Sequence, residues 1–283
     1  MKKIVCMALA LVMVFALAAT SFAADSKTTL VFGTSADYPP YEFMYPDETG
    51  KMVYGGIDVS VAEYIADYLD MELQIENMDF LYLLTALNKG DFDMVLADIE
   101  PTDLRLKAVD FSDPYMEELP NMFLVRAEDV DKYQDISDFD GKYVGAQDGS
   151  TKVEYVQNDC PGATCVSLAL VTDLVNELVN GKIDAVLLDG AVAVNYAQTN
   201  PDLAVAPASE FYADAVHYIA VAVAKGDPKG LLPGINAAIA KLTEENKIFE
   251  FSLLADSLSG VAEAVTVDAP EGYTPDEETY AGA

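Results

Sequence analysis

The sequence predicts an α/β protein of two similar lobes, because one helix–strand unit occurs twice in it. The first copy is a leucine-rich helical face that ends at Gly90, followed by the apolar run MVLA and Asp98. The second is a similar face that ends at Gly181, followed by AVLL and Asp189. In each copy eight residues lead from the glycine to the aspartate. We therefore expect each lobe to end a strand in an aspartate that faces the other lobe.

Further helices are predicted on either side of these units. Val59, Ala62, Ile65 and Leu69 share one helical face, and Asp58 stands where a helix N-cap is expected.

A last helical region runs from about Leu231 to Leu258. Beyond it, residues 266–283 are rich in Pro, Gly, Asp and Glu, which is typical of a disordered acidic tail.

The N-terminus has the pattern of a secretory signal peptide. Lys2 and Lys3 precede the apolar run Ile4–Ala19, and Ser21-Phe22-Ala23 offers small residues for cleavage after Ala23. We expect residues 1–23 to be removed and the rest to be exported. A membrane-anchored N-terminus is the alternative, but the run is short for a bilayer span.

The charge balance excludes one class of partner. The chain has 48 Asp and Glu against 16 Lys and Arg, a net charge of −32. Such a surface repels nucleic acid, so we expect no nucleic-acid partner. A cationic ligand does not follow from the charge, because a solvated acidic face explains it equally.

After the predicted cleavage two cysteines remain, Cys160 and Cys165, in the loop CPGATC. An exported protein can oxidise them, and the Pro-Gly turn between them favours a disulfide over two free thiols. We expect neither a metal nor a cofactor, because no second cysteine pair exists and His217 is the single histidine.

The segment from Gly90 to Tyr115 carries the clearest ligand-binding pattern. Its buried strand emerges at Asp98 into a polar turn, and a short helix with Arg105 follows. Ligands of open α/β sheets bind beyond the carboxyl ends of strands, and a guanidinium suits a carboxylate. Taken alone, Arg105 fits a solvated surface residue better than a ligand-binding one.

This segment resembles the extracellular solute-binding proteins of polar amino-acid ABC transporters. Thr102 and Arg105 match their Thr-x-x-Arg turn, and the sequence FSDPY ending at Tyr115 matches their Phe-Ser-x-Pro-Tyr segment. The resemblance extends from about Thr29 to Leu258 and includes four more segments in the family's order: GTSADYPPYEF, GGIDVSVAEYIADYL, GKYVGAQDGST and NGKIDAVLLDG.

The resemblance implies a two-lobed, periplasmic-binding-protein-like fold of type 2, the Venus-flytrap arrangement, with a hinge of two crossing strands. The crossings would lie near Glu117–Asn121 and Ala213–Tyr218. Lobe 1 would comprise residues 28–118 and 216–262, and lobe 2 residues 119–215.

The resemblance also implies roles for site residues. Arg105, helped by backbone N–H groups between Asp98 and Thr102, would bind the carboxylate of an amino acid. Asp189 would bind its ammonium group. The remaining ligand-contacting positions implied by the family are Tyr38, Tyr41, Ile57, Gly149, Ser150 and Thr151.

Alternatives stay open for some of these positions. Ser150 fits a structural helix cap as well as a ligand contact, and Tyr41 fits core packing as well as a stacking wall. Asp184 also matches a family position, but we interpret it as structural because it precedes its strand.

Three departures from the family pattern bear on the ligand. Ser35 replaces an acidic residue, Ile57 replaces an aromatic one, and Asp98 and Glu100 replace small or hydroxyl residues. Glu100 is placed to pair with Arg105, which puts simple carboxylate recognition in doubt. The added acid favours a basic or neutral amino acid, or another amine, over an anionic ligand.

Two classes of function follow. The favoured one is an exported, monomeric solute-binding protein of the periplasm, or of the extracellular side in a cell with one membrane. It closes on an amino acid or amine and delivers it to an ABC transporter permease. The alternative is a dehydratase-like cleft enzyme on the same fold, with Glu100 or Asp98 as general acid or base.

Overall fold

The protein was analysed as a computed structural model that describes residues 27–260. Its strands form two five-stranded sheets and one three-stranded sheet. The predicted signal peptide 1–23 and the predicted tail 266–283 lie outside the described residues.

The first sheet has the order β5-β1-β6-β13-β7. Its strands are β1 (Thr29–Thr34), β5 (Glu72–Asn77), β6 (Met94–Val95), β7 (Val109–Glu118) and β13 (His217–Ala224). Strands β5 and β6 pair in parallel with β1, whereas β13 is antiparallel to both β6 and β7. The apolar run of the first repeated unit thus lies in the middle of this sheet, where both faces are covered.

The second sheet has the order β10-β9-β11-β8-β12. Its strands are β8 (Met122–Arg126), β9 (Tyr143–Gln147), β10 (Thr164–Leu168), β11 (Ala185–Leu188) and β12 (Leu203–Val205). Strand β11 is the predicted AVLL run, and all four of its residues are buried. The two predicted repeated units therefore supply the central strands β6 and β11 of two separate sheets.

A small antiparallel sheet joins β2 (Asp37–Tyr38), β3 (Glu42–Pro46) and β4 (Met52–Gly55). The helices cover the sheets. They are α1 (Ile57–Tyr68), α2 (Leu83–Lys89), α3 (Arg105–Ala108), α4 (Thr151–Asp159), α5 (Val171–Val179), α6 (Gly190–Thr199), α7 (Leu232–Glu244) and α8 (Lys247–Ser259). Short 3₁₀ turns occupy Phe80–Tyr82, Ala127–Lys132, Ile136–Phe139 and Pro207–Tyr212.

The chain passes between the two large sheets twice. It leaves the first sheet after Glu118 and enters the second at Met122, and it returns between Tyr212 and His217. Strands β7 and β13, which carry these connections, are neighbours in the first sheet. We propose the two lobes that the sequence predicts, residues 28–118 with 216–262 and residues 119–215.

Two predicted helices differ in detail from the structure. Helix α1 begins at Ile57 with Gly56 as its N-cap, so Asp58 lies inside the first turn and does not cap the helix. The predicted last helical region is two helices, α7 and α8, because Asn246 adopts a left-handed φ of 57° between them.

The structure describes Cys160 and Cys165 as free thiols, so it does not show the predicted disulfide. Burial raises the pKa of both thiols, that of Cys160 to about 11. A protonated thiol is a poor nucleophile, which disfavours spontaneous oxidation. Their pairing stays a prediction for the exported protein.

Among the residues described, no helix is both long and apolar enough to cross a membrane.

Candidate ligand-binding cleft

The two repeated units end their central strands at one cavity. Its lining residues are Tyr38, Phe80, Ala97, Asp98, Glu100, Arg105, Gln147, Ser150, Thr151, Lys152 and Asp189. The first six of these precede the crossing at Met122 and the last five follow it, so both lobes contribute. The cavity volume is about 20 Å³, room for about one water molecule.

Asp98 lies directly after the buried MVLA run in a strained backbone conformation. Its φ is 47°, the left-handed region that few residues other than glycine adopt. The backbone N–H of Asp98 donates to Oδ2 of Asp58 at 2.8 Å, which holds this conformation. Both carboxylate oxygens of Asp98 are buried and have no hydrogen-bond partner within residues 27–260. A buried carboxylate left in this way is costly, so its position calls for a partner from outside the chain.

Asp189 has the equivalent position in the second lobe. It follows β11 directly and is the N-cap of α6. The hydroxyl of Tyr38 donates to its Oδ2 at 2.8 Å and accepts from its backbone N–H at 3.1 Å. Because Tyr38 belongs to β2, these two bonds join the lobes across the cleft.

A third buried carboxylate, Glu118, meets these two aspartates. One carboxylate oxygen from each of Asp98, Glu118 and Asp189 lies within 4.8 Å of the others. Glu118 is the last residue of β7, next to the crossing between lobes. Oxygen groups in this arrangement can accept a cation, either an ammonium or a hard metal ion.

The three carboxylates ionise differently. Burial and the charge of Glu118 raise the pKa of Asp98 well above its usual range, and burial and the charge of Asp189 do the same for Glu118. Burial alone would raise the pKa of Asp189 too, but the ammonium of Lys152 lowers it to about 2. Of these three carboxylates, Asp189 is therefore the ionised one, whereas Asp98 and Glu118 retain protons more strongly than usual.

Arg105 lies at the start of α3, as the Thr-x-x-Arg pattern predicts. Its backbone N–H donates to Oγ1 of Thr102 at 3.3 Å, and its Nη1 donates to the carbonyl oxygen of Glu100 at 3.2 Å. The Glu100 carboxylate approaches Nη1 to 3.8 Å, and the guanidinium lies 5.4 Å from the ring centroid of Phe80. The predicted pairing of Glu100 with Arg105 thus exists, but as a distant contact.

The sequence analysis did not predict Lys152, which lies in the first turn of α4 and is buried. Its Nζ is 2.6 Å from Oδ1 of Asp189 and 3.2 Å from Oε1 of Glu100. Burial lowers the pKa of this ammonium, but the two carboxylates raise it further, so the net shift is upward. Glu100 is therefore shared between Lys152 and Arg105.

The glycine turn that precedes α4 brings the second lobe against the first. A Cβ on Gly149 would lie 2.9 Å from the Cα of Leu81, and φ at Gly149 is +80°, so only glycine fits. Ser150 is the N-cap residue, yet its hydroxyl donates to the carbonyl of Gln147 at 2.7 Å and makes no side-chain cap. The Thr151 hydroxyl is buried and, among the described residues, unpartnered.

Other predicted ligand residues lie outside the cavity lining. Ile57 and Tyr41 are fully buried, and both belong to one hydrophobic core cluster. The pKa of Tyr41 is raised by burial and by the adjacent Glu118, which places this ring behind the acidic cluster. Thr102 caps the turn and Gly149 sets the lobe approach, so both act on the cavity indirectly.

Five residues of the site were missed from the sequence: Phe80, Ala97, Glu118, Gln147 and Lys152. One signal in the sequence could have identified Lys152: a cation in the first turn of a helix is unfavourable, because it opposes the helix dipole. The sequence contains no such signal for Glu118, Phe80 or Gln147, because their distance from the cavity depends on how the lobes meet.

The chain is similar to known proteins over most of its described length. The profile of the bacterial extracellular solute-binding proteins, family 3, matches residues 30–252. The arginine-binding extracellular protein ArtP of Bacillus subtilis is 35% identical over 209 residues, which cover 72% of this chain and 79% of ArtP. ABC transporter arginine-binding protein 1 of Escherichia coli is 32% identical over 245 residues, covering 86% of this chain and 93% of that protein.

Among solved structures, the L-arginine-bound amino-acid ABC transporter substrate-binding protein AbpA of Streptococcus pneumoniae superposes with a TM-score of 0.77. It is 31% identical, and the match covers 82% of this chain and 95% of AbpA.

Proposed function

Since the chain belongs to the bacterial extracellular solute-binding proteins of family 3, a family of transport proteins rather than enzymes, we propose that its cleft captures a basic amino acid. The observation that carries this proposal is the buried, unpartnered carboxylate of Asp98, which lies in one cavity with the guanidinium of Arg105. A basic amino acid has a carboxylate that complements the guanidinium of Arg105 and a cation that complements the carboxylate of Asp98.

The charge balance of the cleft favours a cation over an anion. Four buried carboxylates, those of Asp98, Glu100, Glu118 and Asp189, surround the ammonium of Lys152 or lie against the guanidinium of Arg105. An anionic ligand such as glutamate would add a further negative charge to this low-dielectric space, which is unfavourable. A cation lowers the cost of ionising Asp98 and Glu118 instead.

Each end of the ligand has candidate partners. We infer that Arg105 binds the α-carboxylate, together with the unpartnered hydroxyl of Thr151. The cationic end is held by Asp98, with Asp189 on the other lobe and the ring of Tyr38 between them. Arginine is the first ligand to test, because ArtP and AbpA carry that ligand in their names or structures.

The cavity must widen to admit an amino acid, since its volume is about 20 Å³. The two connections between the lobes provide a hinge for this opening.

We further propose that residues 1–23 direct export and are cleaved, and that the mature chain is a monomer. Closed on its ligand, it would deliver this ligand to a membrane permease.

A thermal-shift screen of amino acids and amines tests the proposal. The panel contains L-arginine, L-lysine, L-ornithine, agmatine, L-glutamine and L-glutamate. A ligand at 100 times its dissociation constant adds about 2.7 kcal/mol to the free energy of unfolding, which gives a clear shift. We expect the basic amino acids to stabilise most and glutamate least; the reverse order would exclude the proposal.

A further inference from the structure

The buried lysine of the second lobe contacts Asp189, a carboxylate that the proposed function assigns to the ligand cation. The Nζ of Lys152 lies 2.6 Å from Asp189 in its own lobe and 3.2 Å from Glu100 in the other. The lysine side chain is 6% exposed and the two carboxylates 3% and 7%, so solvent screens these contacts little. One ammonium thus bridges the two lobes, as the cation of a captured ligand would.

Both oxygens of Asp189 already have partners in the chain, one an ion pair and the other a hydrogen bond. Lys152 contacts Oδ1, and the hydroxyl of Tyr38 donates to Oδ2 at 2.8 Å. A second cation close to Oδ1 would lie within a few ångströms of the lysine ammonium, and two like charges repel strongly in a low-dielectric site. A ligand ammonium can therefore reach Asp189 only if Lys152 leaves.

We propose that Lys152 is a tethered competitor, whose ammonium occupies the cation subsite between Asp189 and Glu100 until a ligand cation displaces it. The inference rests on the proposed function, because it needs a cationic ligand. The lysine stem has four flexible carbons, so its ammonium can swing out when the lobes part. The upward pKa shift of Lys152 means that it leaves as a charged group.

This arrangement makes Lys152 a specificity-determining residue. A ligand that enters must replace the contacts that Lys152 makes with Asp189 and Glu100. A basic amino acid brings its own extra cation and can replace them, whereas a neutral amino acid such as glutamine replaces them less well. Lys152 therefore favours basic amino acids by making the binding of neutral ones less favourable.

The competitor also affects how the lobes close. The Lys152–Glu100 contact joins the lobes without any ligand, so it favours closure in the same way that a ligand does. Removing the lysine charge should therefore open the ligand-free protein and tighten its binding of cations.

The test compares Lys152→Gln with wild type by titration calorimetry of L-arginine and L-glutamine. Lys182→Gln is the matched control, because Lys182 forms a 2.6 Å pair with Glu177 on the exposed surface of the same lobe. We expect Lys152→Gln to bind L-arginine at least tenfold more tightly and to lose part of its preference for arginine over glutamine. Small-angle scattering of the ligand-free variant should show a larger radius of gyration.

Unchanged or weaker arginine binding by a folded Lys152→Gln protein would overturn the inference and leave the proposed function intact. If that variant does not fold, Lys152→Arg is tested instead. It keeps the competing cation, so it should bind L-arginine no more tightly than wild type. Tighter binding by Lys152→Arg would overturn the inference. If wild type and Lys182→Gln both fail to bind any basic amino acid, the proposed function itself is wrong.

Discussion

The backbone N–H of Asp98 donates to the carboxylate of Asp58 at 2.8 Å, and this bond fixes the residue that we propose to hold the ligand cation. Asp58 also accepts from the hydroxyl of Tyr115 at 2.6 Å, so it ties the strand end to β7. Burial raises the pKa of Asp58 to about 6. A structural carboxylate thus orients a second carboxylate whose oxygens stay available.

Replacing Asp98 should separate stability from function. Asn tolerates the left-handed backbone and keeps the N–H bond to Asp58, so Asp98→Asn removes only the capacity of this buried group to ionise. We expect a higher melting temperature without ligand and at least tenfold weaker binding of L-arginine. Asp103→Asn, at an exposed position in the same turn, should change neither. Full arginine affinity in Asp98→Asn would show that Asp98 does not contact the ligand.

Replacing Asp58 should damage both properties. Asp58→Ala leaves the N–H of Asp98 and the hydroxyl of Tyr115 without acceptors in a buried place. We expect the free energy of unfolding to fall by about 2–4 kcal/mol, measured by urea denaturation. Asp67→Ala, exposed on the same helix, serves as the control. A loss no larger than that of the control would mean that the network is not coupled to the fold.

Ligand binding should release protons. Asp98 and Glu118 have raised pKa values in the folded protein. Their protonated forms therefore stabilise the fold fully below about pH 4, and this stabilisation is lost as the pH rises through the raised pKa values. A bound cation lowers both pKa values, so the affinity for L-arginine should rise with pH over that window. Calorimetry in two buffers of different ionisation enthalpy measures the protons released. No dependence on buffer would exclude this coupling.

Arg105 should recognise the ligand carboxylate. Agmatine is arginine without that group, so wild type should bind L-arginine more tightly than agmatine. Arg105→Ala should weaken arginine binding by about 2–5 kcal/mol and abolish the preference. Lys107→Ala, exposed on the same short helix, should retain it. Equal affinity of wild type for both compounds would mean that Glu100 occupies Arg105.

Local pattern was enough to predict some of this site. Asp98 and Asp189 were predicted because each directly follows an apolar strand run, and Arg105 because it completes a Thr-x-x-Arg turn that resembles the family's. Lys152 was missed because one lysine in a helix is usually a surface residue. Only the approach of the two lobes shows that it is buried against Glu100.

The two tyrosines that were expected to contact the ligand lie in different places. Tyr41 was expected to contact the ligand, with core packing as the alternative, and the structure places it behind the acidic cluster. Tyr38, three residues earlier in the same turn, does line the cavity. The direction of each ring depends on the fold of the turn, which the sequence pattern does not determine.

Titration of L-arginine and L-glutamate into the wild-type protein at neutral pH tests the central claim most directly. The arrangement of Asp98, Glu118 and Asp189 predicts one-to-one binding of arginine and no measurable heat from glutamate. Preferential binding of glutamate would show that the buried acids do not receive the ligand cation, and the proposed function would be wrong.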